Sequence, residues 1–97
     1  MKQPAVYIIA SQRNGTLYTG VTSDLVKRVW QHRDGQADGF TKHYGCKILV
    51  WYELSGSMEN AILREKQIKA GSRAKKIAMV EARNPTWSDL WDEIAHP

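Results

Sequence analysis

The chain has 97 residues, of which 42% are hydrophobic and 25% charged, and its formal net charge is +4. This length predicts one small domain over residues 1–97, and the composition is that of a globular protein rather than a disordered one. The apolar runs are too short for a signal peptide or membrane span, and Cys46, the single cysteine, excludes an internal disulfide. We therefore expect a soluble, cytoplasmic protein with no membrane contact.

The first predicted element is a β-hairpin. Residues 4–10 (PAVYIIA) and 17–21 (LYTGV) are rich in β-branched and aromatic side chains, as strands are. Between them, Asn14-Gly15 is a strong turn signal because both residues tolerate positive φ.

The hairpin places two tyrosines on one face of the predicted sheet. A four-residue loop would set Tyr18 opposite Ile9, which makes Tyr7 and Tyr18 diagonal neighbours. Gly20 follows on the same face and leaves a gap beside the two phenols. Taken alone, the pair is explained better by half-buried strand tyrosines than by a polar site.

A helix follows the hairpin, capped by Ser23 or Asp24 and running to about Asp34. Arg28 and His32 are four residues apart and therefore share a face of this helix. The arginine fork matches a phosphate, and histidine exchanges a proton near neutral pH. Taken alone, the helix is explained better by a surface pair between Asp24 and Arg28, with His32 as an ordinary polar residue.

The rest of the chain predicts a polar loop with three glycines, a strand, two helices and a short helical tail. Their predicted bounds are residues 35–45, 46–54, 57–71, 73–83 and 87–91. The strand is apolar on both faces, so we expect it to be central or covered. These elements indicate an α+β fold in which helices pack on a small antiparallel sheet.

Glu65 lies inside the apolar stripe of the second long helix. Met58, Ile62, Glu65 and Ile68 fall at helical spacing, which directs the carboxylate toward the rim of the core. A buried carboxylate is costly unless it is paired or bound to a cation. A Mg²⁺ site and a buried ion pair to Arg28 or a lysine both satisfy this requirement.

Positive charge is concentrated between residues 61 and 83. A basic stripe of this kind can contact phosphates, although a solvated helix face explains the charge as well. The candidate nucleic-acid-binding residues are Lys66, Lys69, Arg73, Lys75 and Lys76.

In combination, residues 4–83 resemble the GIY-YIG nuclease superfamily. The most specific stretch is YTGVTSDLVKR at residues 18–28, followed by His32, and the NPTWSDL tail resembles that of small stand-alone bacterial members. The chain departs from the family pattern mildly, with Ala5 for the first motif glycine and Thr19 for the isoleucine of the second motif.

The resemblance implies a three-stranded antiparallel sheet flanked by helices, with a core at 4–83 and a helical tail at 84–97. It implies hydrolysis of DNA phosphodiester bonds with a divalent cation, Mg²⁺ or Mn²⁺. Carried onto matching positions, it makes Tyr7, Tyr18, Arg28, His32 and Glu65 the catalytic residues and Glu65 the metal ligand.

The remaining expectations follow from the same resemblance. We expect a DNA endonuclease of low sequence specificity that acts in DNA repair or processing, as a monomer or weak dimer, with a partner protein that supplies specificity. The alternative is a non-catalytic nucleic-acid-binding module with the same fold.

Overall fold

The computed structural model describes residues 3–36 and 39–95. Its sheet has three antiparallel strands in the order β2-β1-β3, and helices cover both faces, which confirms the predicted α+β fold. The elements in chain order are β1 (Ala5–Ala10), β2 (Leu17–Thr22), α1 (Leu25–Arg33), α2 (Gly39–Tyr44), β3 (Ile48–Leu54), α3 (Met58–Ala70), α4 (Arg73–Arg83) and α5 (Trp91–Ala95).

The central strand β1 is buried along its whole length and divides the core into two layers. Side chains alternate between the faces of a strand. Val6 and Ile8 therefore pack with α3 and α4, whereas Tyr7 and Ile9 pack with α1 and the C-terminal tail. The strand β3 lies at an edge rather than the centre, but it is covered on both faces as its apolar sequence predicted.

The register of the hairpin is the predicted one. Ile9 is opposite Tyr18 and Tyr7 is opposite Gly20. The Ser11 amide donates to the Thr16 carbonyl at 3.0 Å, so the turn itself is the four residues 12–15. Within this turn Asn14 has a φ of 57°, the left-handed conformation that asparagine tolerates.

Helix ends follow the predicted capping residues. The Asp24 side chain accepts a hydrogen bond from the Lys27 amide at the start of α1, and Gly35 follows that helix with a φ of 74°. Ser57 and Ser72 cap α3 and α4 in the same way. Each cap satisfies an amide that the first helical turn leaves without a partner.

Two segments differ from their predicted structure. Residues 35–45 were predicted as a loop, but they contain the short helix α2, whose six residues are fewer than helical periodicity needs to be recognised. Residues 37 and 38 of the predicted loop lie outside the described residues. The strand β3 also begins at Ile48 rather than Cys46.

The predicted helix at Trp87–Trp91 is wrong. Trp87 has a φ of 56° and inserts its ring into the core, which holds this segment out of helical geometry. Asp89 accepts a hydrogen bond from the Trp91 amide at 3.1 Å, and the helix begins only there. Tertiary burial of one large ring thus displaces the helix by one turn.

The C-terminal tail packs on both layers of the core. Trp87 lies in the α3–α4 layer, whereas Leu90, Trp91 and Ile94 pack in the layer that contains Tyr7. The Leu90 amide also donates to the carbonyl of Leu49 in β3 at 2.8 Å. Among the described residues, no helix is both long enough and apolar enough to cross a bilayer.

Cys46 is a core residue. Its side chain is fully buried, and burial raises the pKa of its thiol above the ordinary value. Because the thiolate is the reactive form, this environment makes the cysteine inert.

Candidate active site

A polar cluster forms where β1 faces α1. The Tyr7 hydroxyl lies 2.9 Å from Nε2 of His32, and Nε of Arg28 donates to the same phenol oxygen at 3.4 Å. Tyr7 is 1% exposed and His32 is 2% exposed, so both side chains are almost completely enclosed. The strand and the helix therefore bring together three of the predicted site residues.

Gly20 makes room for the phenol of Tyr7. A Cβ at this position would lie 2.4 Å from the Tyr7 hydroxyl oxygen and 2.5 Å from its ring. The gap predicted from the sequence is thus filled by the Tyr7 ring itself. This close approach explains why the position opposite Tyr7 in β2 carries no side chain.

We expect Gly20→Ala to destabilise the protein by about 1–3 kcal/mol, because overpacking at a buried site forces side chains or backbone to move. The displaced phenol would also lose its contact with His32. Gly39→Ala is the matched control, since a Cβ there meets nothing within 4 Å. Thermal unfolding of both variants checks this prediction, and equal melting temperatures would contradict it.

His32 is held from both sides. Thr41 in α2 places its hydroxyl 3.2 Å from Nδ1, opposite the Tyr7 hydroxyl at Nε2. A neutral imidazole has one donor and one acceptor, and a hydroxyl can serve either nitrogen. These contacts are compatible with the tautomer in which the Tyr7 hydroxyl donates to Nε2 and Nδ1–H donates to the Thr41 hydroxyl.

Arg28 contacts the cluster from one turn before His32 in α1. Besides its contact with Tyr7, its guanidinium donates to the side-chain oxygen of Gln31 at 3.3 Å. The side chain is only partly buried. The guanidinium of Arg28 therefore lies between the enclosed Tyr7–His32 pair and the solvent.

Tyr18 stands beside the cluster on the edge strand β2. Its ring centroid lies 6.4 Å from that of Tyr7 and 5.7 Å from that of His32. Unlike Tyr7, it is only partly buried and borders a groove of about 370 Å³. The residues that line this groove are Leu17, Tyr18, Thr19, Phe40, Lys69 and Lys76.

Glu65 reaches the same edge of the sheet from α3. Its carboxylate pairs with Lys69 at 3.3 Å, and the Lys69 ammonium lies 6.0 Å from the centroid of the Tyr18 ring. The Glu65 side chain is 15% exposed. Lys69 therefore connects the acid to the tyrosine and to the groove.

The predicted apolar stripe around Glu65 needs a correction. Met58 and Ile62 are 38% and 37% exposed, whereas Ala61 and Ile68 are buried. The buried residues of α3 are Ala61 and Ile68, and Glu65 lies between them in the sequence with its side chain 15% exposed. Glu65 remains at the rim of the core as predicted.

The donor set at Glu65 fits an open cation site rather than a closed one. Among residues 3–36 and 39–95, no three His, Cys, Asp or Glu side chains are grouped for metal binding. Mg²⁺ is commonly held by one or two carboxylates together with water and substrate oxygens. A single carboxylate with limited exposure beside an open groove is compatible with such a site.

The five candidate nucleic-acid-binding residues have different surroundings. Arg73 donates to the carbonyls of Asn14 and Gly15 at 2.7 and 2.8 Å, and so holds the hairpin turn against α4. The Lys76 ammonium donates to the Gly71 carbonyl at 2.8 Å, between α3 and α4. Lys66 and Lys75 are exposed, and Lys69 pairs with Glu65.

The sequence did not reveal two participants in this region. Thr41 was assigned to a loop, and no periodicity marked it as a partner of His32. The ring of Phe40 lies tilted beside that of Tyr18, with centroids 5.9 Å apart, but a phenylalanine after a glycine carries no signal for such a contact. Lys69 was recognised for its charge, and its position four residues after Glu65 is the one signal that could have indicated their pairing.

In this fold the first hairpin of a small antiparallel sheet places two tyrosines beside the helix that carries Arg28 and His32. This is the arrangement expected of a nuclease domain. Comparison with known families agrees, since the model of the GIY-YIG catalytic domain matches residues 3–78.

Bacterial proteins named UPF0213 extend the similarity over most of the chain. A UPF0213 protein of Staphylococcus saprophyticus is 35% identical over 80 residues, which are 82% of this chain and 96% of that protein. A UPF0213 protein of Aeromonas salmonicida is 30% identical over 97 residues and is covered over 71% of its length. The solution NMR structure of a UPF0213 protein from Bacillus halodurans has a TM-score of 0.57 at 29% identity, with 93% of this chain and 95% of that one covered.

The chain therefore belongs to the GIY-YIG nuclease family and resembles its small UPF0213 members. Nucleases with this domain generally depend on a divalent metal ion, and the predicted family resemblance is confirmed.

Proposed function

We propose that this protein is a DNA endonuclease of low sequence specificity that hydrolyses phosphodiester bonds with one bound Mg²⁺ or Mn²⁺. The observation that carries the proposal is the contact between Tyr7 and His32, a buried phenol 2.9 Å from a histidine nitrogen. Arg28 donates to the same oxygen, and Lys69 links the carboxylate of Glu65 to the ring of Tyr18, which lies beside His32. The Tyr7–His32 pair would supply a general base, the Arg28 guanidinium a positive charge and the Glu65 carboxylate a metal ligand for hydrolysis.

In this proposal, Tyr7 and His32 act together on the attacking water. A free phenol titrates near 10, so it is a poor base at neutral pH without help. His32 accepts the phenol proton at Nε2, and the Thr41 hydroxyl holds the imidazole through Nδ1. The Arg28 side chain donates to the phenol oxygen and places a positive charge beside it.

Arg28 and Tyr18 act on the substrate side of the cluster. The part-buried guanidinium stabilises the negative charge that develops on the phosphoryl oxygens in the transition state. The Tyr18 hydroxyl, on the ring that borders the groove, orients the water or the phosphate. When bound at Glu65, the cation supplies positive charge that polarises the scissile phosphate.

Arg28→Ala should lower the rate of cleavage much more than it lowers DNA affinity. A contact made in the transition state changes kcat, whereas a uniform contact changes binding. We expect a rate loss of about 10²–10³-fold at saturating DNA, the usual cost of one electrostatic donor. The exposed neighbour Lys27→Ala is the control, and single-turnover rates distinguish the two. An unchanged rate with weaker binding would make Arg28 a phosphate anchor only.

The DNA would also contact the exposed charges of α3 and α4. Lys75 and Lys76 line, with Arg64, a groove of about 530 Å³ between these helices. We expect Lys75→Gln to reduce the salt slope of duplex binding by about 0.9, the value for one lost phosphate contact. Lys76→Gln should instead lower the melting temperature, since its ammonium bonds to Gly71. Affinity measured against salt concentration checks this, and an unchanged slope for Lys75→Gln would place the DNA elsewhere.

The wider role that we propose is DNA repair or processing in the cytoplasm. In this role the protein would act as a monomer or weak dimer, with a partner protein that supplies specificity.

A nicking assay on supercoiled plasmid, branched DNA and RNA tests the proposed activity. Reactions with Mg²⁺ or Mn²⁺ are compared with reactions that contain a chelator. Cleavage of DNA that requires the metal supports the endonuclease. Binding to all three substrates without cleavage in either metal would instead identify a non-catalytic nucleic-acid-binding module.

A further inference from the structure

The Lys69 ammonium contacts two of the proposed site residues, Glu65 and Tyr18, although Lys69 itself has no role in the proposed hydrolysis. It lies 3.3 Å from Oε2 of Glu65 and 6.0 Å from the centroid of the Tyr18 ring. The side chain of Glu65 is 15% exposed, whereas that of Lys69 is 50% exposed. A half-exposed ammonium thus pairs with a carboxylate that has little access to water.

We propose that Lys69 is the resident counter-ion of Glu65 and that a divalent cation displaces it on binding. The proposal rests on the proposed function, in which Glu65 is the metal ligand. A carboxylate with little solvent access is costly when it is unpaired. Lysine four residues after glutamate is the favourable orientation for such a pair on a helix. Lys69 therefore holds the Glu65 carboxylate in place before the metal arrives.

The ammonium and a divalent cation cannot share the carboxylate without cost. Like charges a few ångströms apart repel each other, and the repulsion grows as solvent is excluded. Glu65 then exchanges one positive partner for another of higher charge. The free energy of metal binding at Glu65 is consequently less favourable by the free energy of the Glu65–Lys69 ion pair, which must be broken first.

The groove gives the displaced ammonium a second position. Lys69 lines it together with Tyr18, Phe40 and Lys76, and a lysine has a flexible four-carbon stem. Rotation of this stem moves the charge away from Glu65 without removing it from the site. In the groove it binds a substrate phosphate as a point charge.

Metal affinity measured without DNA tests this exchange. Titration of the full chain with Mn²⁺, followed by electron paramagnetic resonance of the free ion, gives a Kd for each variant. Lys69→Met should bind Mn²⁺ about fivefold more tightly than the unmodified protein, the upper range for a partly exposed ion pair. Lys69→Arg, which keeps the charge, should remain within about twofold of it.

Lys66→Met is the matched control because it removes the same charge from an exposed position on the same helix. Its Kd should change by less than about twofold, since exposed charges are screened by salt. Tighter binding in Lys69→Met alone supports the exchange. Unchanged or weaker binding in Lys69→Met, or equal tightening in Lys66→Met, would overturn it.

Glu65→Gln separates this inference from the proposed function. If Glu65→Gln loses Mn²⁺ binding while Lys69→Met does not tighten it, the counter-ion role is wrong and the metal role of Glu65 survives. If Glu65→Gln binds Mn²⁺ like the unmodified protein, both are overturned. Melting temperatures recorded without metal identify any variant whose Kd reflects unfolding rather than the site.

Discussion

Glu65→Gln is expected to abolish metal-dependent cleavage while the fold survives. The substitution preserves volume and removes only the charge that would hold the cation. Loss of metal catalysis removes several kcal/mol of transition-state stabilisation, a rate loss of about 10³-fold or more. The partner that Glu65 leaves behind is the half-exposed Lys69, so the cost in stability should be below about 1 kcal/mol.

Glu59→Gln is the control for this result, because Glu59 is an exposed acid in the first turn of the same helix. Nicking rates and melting temperatures are compared for both variants. A large loss of melting temperature in Glu65→Gln with retained cleavage would refute the metal role and make Glu65 a structural ion-pair partner.

Tyr7→Phe is expected to lower the cleavage rate by about 10²–10⁴-fold, the usual contribution of acid–base assistance. The ring, which supplies the packing under Gly20, is retained. Loss of the hydroxyl removes its hydrogen bond to Nε2 of His32, which costs about 0.5–1.5 kcal/mol of stability. Tyr44→Phe, in the exposed part of α2, is the control for removal of a phenol.

Tyr18→Phe decides between the two tyrosines. Tyr7 is enclosed with His32, whereas Tyr18 borders the groove, so either phenol could be the one that meets the water. If Tyr7→Phe cleaves within about threefold of the unmodified protein while Tyr18→Phe is inactive, the two roles are exchanged. Normal rates for both variants would exclude a tyrosine-assisted mechanism.

Local chemistry made much of the fold predictable. The Asn14-Gly15 turn fixed the hairpin register, and the register placed Tyr7 and Tyr18 on one face. The helix caps Ser57 and Ser72 marked the starts of α3 and α4. Each of these signals acts over a few residues, which is the range that a single sequence expresses well.

The rest depends on contacts between distant residues. Trp87 was predicted in a helix, but burial of its ring in the core set a positive φ instead. The enclosure of His32 depends on Thr41, which α2 brings across from a segment predicted as a loop. The contact of Lys69 with the ring of Tyr18 requires the packing of α3 against β2. No local pattern encodes these arrangements.

The dependence of plasmid nicking on metal concentration tests the central claim most directly. Single-turnover rates are measured on supercoiled DNA across a Mg²⁺ titration, with a chelator control, for the unmodified protein and Glu65→Gln at matched folded fractions. The proposed function predicts a rate that rises and saturates with Mg²⁺ in the unmodified protein and stays at the chelator level in Glu65→Gln. Nicking that persists in chelator, or that responds to Mg²⁺ equally in both proteins, would contradict it.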